Sequence, residues 1–293
     1  MQQTHSIGPQ KSAPWEQVRF VLVAPSHVGN IGACARAVRS MGFTRLHVVR
    51  PRDPQFRTAP QALALAASAD DVLAQAQVFD SLAEALEGVQ LAIATSGYPR
   101  QFGPQSIEVR EAARCAAQAV YFQNAQVAFV FGPERTGLCN LDVQRCHLCC
   151  QIPSDPERGS LNLAQATQVV AYECRRELLA GGPLHPGGGD DHTQLQQFES
   201  AASIEQTEAM FAHLEEALIA VGYLDPQRPK HLLARLRRLL LRARPTATEV
   251  DILRGIASAM TLPRALRAGR KTMASKEARA GESSARDSRD LKG

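Results

Sequence analysis

Short apolar runs separated by helical patterns, with glycine-marked turns at three of the joins, constrain this chain more than any other feature. Arg19-Phe20-Val21-Leu22-Val23-Ala24 reads as a buried strand ended by Pro25. Leu46 to Val49, Leu91 to Thr95 and Val127 to Phe131 read as further strands, and Cys149 to Ile152 as the last. Helical patterns fall between them. The first spans Ala33 to Met41, with Gly42 placed to end it. Others cover 60–74, 80–87 and 106–122, and a long one runs from Leu161 to Leu179, where Leu163, Val170, Cys174 and Leu178 share an apolar face. Strands alternating with helices of this length predict an α/β fold with a parallel sheet covered on both faces.

The three marked turns are Gly29-Asn30-Ile31-Gly32-Ala33, then Gly132-Pro133-Glu134-Arg135-Thr136-Gly137-Leu138, then Gly159-Ser160-Leu161-Asn162-Leu163. Each follows an apolar run, so the expectation is that strand ends bring them to one site, as in an enzyme. None carries G-x-G-x-x-G spacing, and neither a P-loop nor a G-x-S-x-G turn occurs in the chain. Standard dinucleotide, nucleotide and serine-hydrolase chemistries are therefore disfavoured.

Beyond Leu179 the pattern changes. The stretch from Gly181 to Gly189 is rich in glycine and proline and reads as a linker, here set at 182–193. Helices then follow at about 194–221, 229–243 and 249–260, the last opened by Thr246 and Glu249 at capping-box spacing. Between Arg228 and Arg244 there are seven Lys or Arg and no acid. His231, Arg235, Arg238 and Arg242 form one stripe on the middle helix beside a leucine face. Guanidinium groups in a row suit phosphate, so Arg235, Arg238 and Arg242 are candidates for binding RNA; a merely solvated amphipathic helix is the alternative. Residues 264–293 carry a local charge of +5, which leaves −1 for the rest of a chain whose net charge is +4. Residues 1–17 and 264–293 read as disordered tails, around a first domain at 18–181 and a helical extension at 194–263.

No apolar run approaches the roughly 18 residues of a membrane span, and the N-terminus has neither a basic cluster nor an apolar h-region. The expectation is a cytoplasmic protein with reduced thiols, although the seven cysteines include a tempting group at Cys139, Cys146, Cys149 and Cys150 around His147. Cys149 and Cys150 point to opposite faces of a strand and no second spaced pair exists, so no metal site is expected.

At this point the three turns, taken in order, resemble the three motifs of the SPOUT class of S-adenosylmethionine-dependent RNA methyltransferases, in its TrmH-like 2′-O-methylating branch. The matching stretches are His27 to Ala37, Val130 to Leu138, and Ile152-Pro153 through Gly159 to Ala164. Leu236 to Ala243 and Thr248 to Ile256 resemble the extension of the TrmJ subfamily, which smaller relatives acting on the wobble nucleotide lack. The resemblance implies a C-terminal trefoil knot, an exception to the rule against threading. It also implies S-adenosylmethionine as cofactor, tRNA as partner, a homodimer that builds each RNA site jointly, and methylation of the ribose 2′-hydroxyl of nucleotide 32. Another tRNA nucleotide or ribosomal RNA is the alternative substrate, and a catalytically silent RNA-binding protein the alternative class.

Carried over by position, the cofactor pocket involves Thr95, Ser96, Gly97, Gly132, Ile152, Ser160, Leu161 and Asn162. Glycine at 132 would let the backbone approach the adenosine. The Thr95 to Arg100 loop departs from the pattern, because relatives often place an arginine sooner after the Thr/Ser pair. Arg36 matches the catalytic arginine, and Asn30, Glu134, Ser160 and Asn162 match other functional positions. Simpler roles are open to several of them. Asn30 or Ser160 could cap a helix, and Glu134 could be a surface acid.

Overall fold

The computed structural model describes residues 13–97, 103–155, 159–181 and 201–261. Its centre is a seven-stranded, all-parallel sheet: β1 (Val18–Val23), β2 (Arg45–Val49), β3 (Gln77–Phe79), β4 (Leu91–Thr95), β5 (Gln105–Glu108), β6 (Val127–Phe131) and β7 (Leu148–Gln151). Their order across the sheet is β3-β2-β1-β6-β4-β7-β5. β1, β4 and β6 are buried almost throughout, which is why they read as continuous apolar runs. β3 and β5 lie at the two edges and are largely exposed, so they carry no such run and sequence reasoning missed both.

Ten helices are seen among the described residues: α1 (Val28–Ser40), α2 (Pro60–Ala66), α3 (Asp70–Gln75), α4 (Leu82–Ala85), α5 (Val109–Gln123), α6 (Asn140–Gln144), α7 (Leu163–Leu179), α8 (Ile204–Ala220), α9 (Leu232–Ala243) and α10 (Ala247–Thr261). On one face, α1, α2, α3, α5 and α7 bury Ile31, Val38, Ala62, Leu73, Ala116 and Val170 against Phe20, Leu22, Phe129 and Phe131. On the other face α4, α6 and the first residue of α8 supply Leu82, Val143 and Ile204 against Val21, Ala92 and Val130. The expected two-sided parallel sheet is what the chain forms.

Several boundaries moved. α1 begins at Val28, five residues before the predicted start, so Asn30 lies in its first turn rather than ahead of it. The pattern at 60–74 breaks where Ala67 adopts φ +50°, separating α2 from α3 by a 3-10 turn. Residues 14–17, expected to be disordered, form a 3-10 turn that leads into β1. Arg45 donates to the Glu16 carbonyl there, and Gln17 to Asn124. Gly42 ends α1 as expected, at φ +79°. The predicted linker at 182–193 and the basic tail at 264–293 lie outside the described residues.

The chain forms two compact units. The first joins the sheet domain to residues 201–208 and 231–248, and so includes α9; the second holds 209–230 and residues from 249 onward. α9 is fastened to the first unit in several ways. Arg237 pairs with Glu208, Arg244 donates to Gln123 at 3.3 Å, and Leu241 is buried. Ala201 and Thr246 form a β-bridge, and the Ile204 N–H donates to the Val89 carbonyl at 2.9 Å. The stripe residues His231, Arg235, Arg238 and Arg242 are exposed, as the helical wheel predicts.

Candidate active site

The strand order sets β6, β4 and β7 side by side, so the chain leaving their C-terminal ends meets in one place. A cleft of about 190 Å³ lies there. Thr95, Ser96 and Gly97 after β4 form one wall, and Gly132 to Leu138 after β6 another. Ile152 and Ser154 after β7, with Ser160 and Leu161, complete it over a floor of Leu163 and Ala166 from α7. Every residue expected in the cofactor pocket lines this cleft except Asn162, which lies just beyond it.

Gly132 has a nearer constraint than the cofactor. A Cβ built on it would stand 2.2 Å from the Leu138 N and 2.4 Å from the Gly137 C, so only glycine lets the 132–138 loop fold back on itself. Thr95 Oγ1 is buried and has no hydrogen-bond partner among the described residues. Because buried polar atoms are nearly always satisfied, this hydroxyl is one that a ligand in the cleft can use.

Glu134 is the hub. Its Oε1 accepts from Asn30 Nδ2 at 2.8 Å and from the His27 N–H at 3.3 Å; its Oε2 accepts from the Ser26 N–H at 2.9 Å and from the Ser26 hydroxyl. These donors surround the N-terminus of α1, where His27 provides no side-chain cap. A carboxylate from 104 residues away thus satisfies orphan N–H groups and sits favourably against the helix dipole. Partial burial alone would raise the carboxyl pKa, but the hydrogen bonds from Asn30 and Ser26 outweigh it and hold it at about 2.

Asn30 passes the connection on. Its Oδ1 accepts from Asn162 Nδ2 at 3.2 Å, while Asn162 caps α7 by accepting from the Ala164 N–H at 2.9 Å. Gln165 closes the capping box by accepting from the Asn162 N–H at 3.2 Å. Glu134, Asn30 and Asn162 therefore link all three motifs and two helix N-termini. The capping roles considered for Asn30 and Ser160 belong instead to Glu134 and Asn162. Sequence reasoning missed Ser26, which nothing local marks, and Gln165, whose spacing from Asn162 was legible.

Arg36 stands apart. It is exposed on α1, about 9 Å of helical rise beyond Asn30, does not line the cleft, and has no hydrogen-bond or ionic partner among the described residues. Ser160 is exposed at the cleft rim, with its Cβ 3.8 Å from a Cβ built on Gly97. Arg100 lies outside the described residues. Cys146 and Cys150 pack into cores on opposite faces of the sheet, and burial pushes the Cys150 thiol up to about 12, which suits unreactive thiols.

The chain matches the SpoU rRNA Methylase family over residues 17–172, and the C-terminal domain of the tRNA methyltransferase TrmJ over 205–274. It is 40% identical to the tRNA (cytidine/uridine-2′-O-)-methyltransferase TrmJ of Pectobacterium atrosepticum, over 84% of this chain and 97% of that protein. It is 41% identical to the tRNA (cytidine/uridine/adenosine-2′-O-)-methyltransferase TrmJ of Pseudomonas aeruginosa, over 82% and 92%. The crystal structure of TrmJ from Z. mobilis ZM4 superposes with a TM-score of 0.69 at 34% identity, covering 83% of this chain and 98% of that one. No helix among the described residues is long and apolar enough to cross a membrane. With both models matched in order and these relatives covered nearly end to end, the chain belongs to the TrmJ family of SpoU-type methyltransferases.

Proposed function

We propose that this chain transfers a methyl group from S-adenosylmethionine to the ribose 2′-hydroxyl of nucleotide 32 in the anticodon loop of tRNA, as a cytoplasmic homodimer. The observation that carries this reading is the convergence of three loops, tied together through Glu134, Asn30 and Asn162, on one cleft in a chain of the TrmJ family. The activity named for the relatives supports a tRNA ribose as acceptor, and the C-terminal match favours tRNA over ribosomal RNA.

The cleft suits a donor carrying a nucleoside. Phe131, Leu138, Ile152 and Leu163 offer apolar walls, and the Thr95 hydroxyl has no hydrogen-bond partner among the described residues. When bound, the donor supplies a sulfonium methyl whose departure leaves a neutral thioether. The protein's task is then alignment and handling of the hydroxyl proton, more than rescue of a leaving group. Thr95, Ser96, Gly97, Gly132, Ile152, Ser160 and Leu161 hold the donor in this reading, and Asn30, Glu134 and Asn162 keep the loops in register. A trefoil knot through the last loop would fix them further.

Arg36 cannot serve as a base, because a guanidinium stays protonated at any working pH. Its role is to grip the phosphate beside the target ribose and to stabilise negative charge developing on the 2′-oxygen. The subunit partner helps to build that RNA site. Arg235, Arg238 and Arg242 on α9 supply further phosphate contacts.

Mass spectrometry of tRNA tests this directly. Cells lacking the gene should lose ribose methylation at nucleotide 32, the wild-type gene should restore it, and Arg36→Ala should not, while purified Arg36→Ala still binds S-adenosylmethionine. Methylation at nucleotide 32 that persists without the gene would refute the assignment.

A further inference from the structure

The cleft has a neighbour that neither the motifs nor the family resemblance singles out. β1 and β2 end side by side, and each leaves the sheet through a residue in the left-handed region: Ala24 at φ +45° and Arg50 at φ +46°. The Ala24 N–H donates to the Val49 carbonyl at 2.7 Å, and the Arg50 N–H to the Phe79 carbonyl at 3.0 Å. Two residues on, the Arg52 N–H donates to the Pro25 carbonyl at 3.2 Å, and the next residue, Ser26, donates to Glu134 in the cleft wall. The start of the 50–59 loop is thus stacked onto the loop that carries Glu134's partners. Its far end is pinned by the fully buried Phe56 and by Arg57, which donates to the Ala76 carbonyl.

This fixed loop presents Arg50 and Arg52 to solvent. Most of the described arginines in the sheet domain are engaged, among them Arg39 with Asp71, Arg45 with Gln126, Arg57 with Ala76 and Arg114 with Glu111. The guanidinium groups of Arg50 and Arg52 have no hydrogen-bond or ionic partner among the described residues. The nearest acid in sequence, Asp53, accepts from the Gln55 N–H at 2.8 Å to make the local turn. Glycine or asparagine would hold the left-handed position at Arg50 with less strain, yet a long cation occupies it. On the other side of Glu134, Arg135 lines the cleft itself and is exposed.

We infer that Arg50 and Arg52 form a phosphate-gripping rim that positions the RNA strand flanking the target ribose over the cleft. The inference rests on the proposed RNA 2′-O-methylation and adds the residues that seat the strand at that site. Two cations on a preformed loop can bind consecutive backbone positions without ordering the chain first, and they carry no base preference. They are positioning residues, because they lie outside the cleft and touch neither donor nor reacting hydroxyl in this scheme.

The test compares full-length wild-type protein with Arg50→Asn/Arg52→Gln, with the charge-keeping Arg50→Lys/Arg52→Lys, and with Arg114→Gln as a distant control. Asparagine is chosen at 50 because it tolerates the left-handed backbone. Steady-state methylation of unmodified tRNA transcript, filter binding of that tRNA across a salt series, and calorimetry with S-adenosylmethionine are measured for each. The neutral double variant should raise the KM for tRNA about tenfold and flatten the slope of log affinity against log salt by about 1.5, the loss of two phosphate contacts. S-adenosylmethionine affinity and thermal melting should be unchanged, and the lysine pair should restore most of the slope. Arg114→Gln should match wild type. Unchanged tRNA affinity and salt slope in the neutral double variant, with wild-type methylation intact, would overturn the rim alone. A wild-type protein that neither binds nor methylates tRNA would overturn the rim together with the function it rests on.

Discussion

Glu134 shows how one side chain can tie a cleft wall to a helix start 104 residues away. Its carboxylate satisfies donors from Ser26, His27 and Asn30 and so fixes the N-terminus of α1 against the loop that lines the cleft. Because its pKa is lowered from 4.5 to about 2, the stabilisation it gives is complete above about pH 4.5 and is lost as pH falls through 2. Glu134→Gln keeps the shape and removes the charge. It should destabilise the fold by about 1 kcal/mol at neutral pH, since water screens a partly exposed carboxylate. The gap in melting temperature from wild type should stay constant between pH 8 and 5 and narrow below 4.5; a gap that widens in acid would contradict this account. Gly132 is required by the loop's own backbone, since a Cβ there would meet the Leu138 N at 2.2 Å.

At the scale of elements, what was legible in the sequence follows from burial. β1, β4 and β6 are covered on both faces and announced themselves as apolar runs; β3 and β5 sit at the edges and did not. α7 showed its buried face through Leu163, Val170, Cys174 and Leu178, all of them buried in the core. The site was legible only in part. The three motifs identified which loops matter, but the Glu134–Asn30–Asn162 chain joins residues 104 and 132 positions apart, and no local pattern encodes such a pairing. The start of α1 was misplaced for a related reason, since its cap comes from Glu134 in a distant loop. Gly32 belongs to this scale too. A Cβ there would stand 2.0 Å from the Ala62 carbonyl oxygen, so the glycine is what allows α1 to lie against α2. Gly32→Ala should cost about 3 kcal/mol by forcing two packed backbones apart, read as a lower denaturant midpoint with an unchanged slope. A substitution within 0.5 kcal/mol of wild type would show that α2 yields easily.

On the scale of the whole molecule, the first unit carries its two candidate surfaces at opposite ends of the sheet. The cleft and its arginine rim lie where β1, β2, β4, β6 and β7 finish. α9 packs near the opposite ends, with Arg237 and Leu241 beside Pro104 and Cys146, the residues that immediately or closely precede β5 and β7. The two surfaces lie at opposite ends of the four-residue strand β7, about 13 Å of strand rise apart. An RNA that used both would therefore span the sheet or reach across to a second subunit. The division at Gly181 seen in the sequence is also incomplete, because Ile204 is part of the sheet's core and α9 belongs to the same unit. Cutting the chain at the linker would expose that core, so charge removal on α9 probes RNA binding more cleanly than truncation does. The claim on which all of this depends is that the three loops hold the methyl donor. A crystal structure of the wild-type protein grown with S-adenosylmethionine tests it most directly. The donor should lie between Thr95, Gly132, Ile152 and Ser160 with the Thr95 hydroxyl hydrogen-bonded to it; a donor bound elsewhere, with those loops still closed on an empty cleft, would contradict the account.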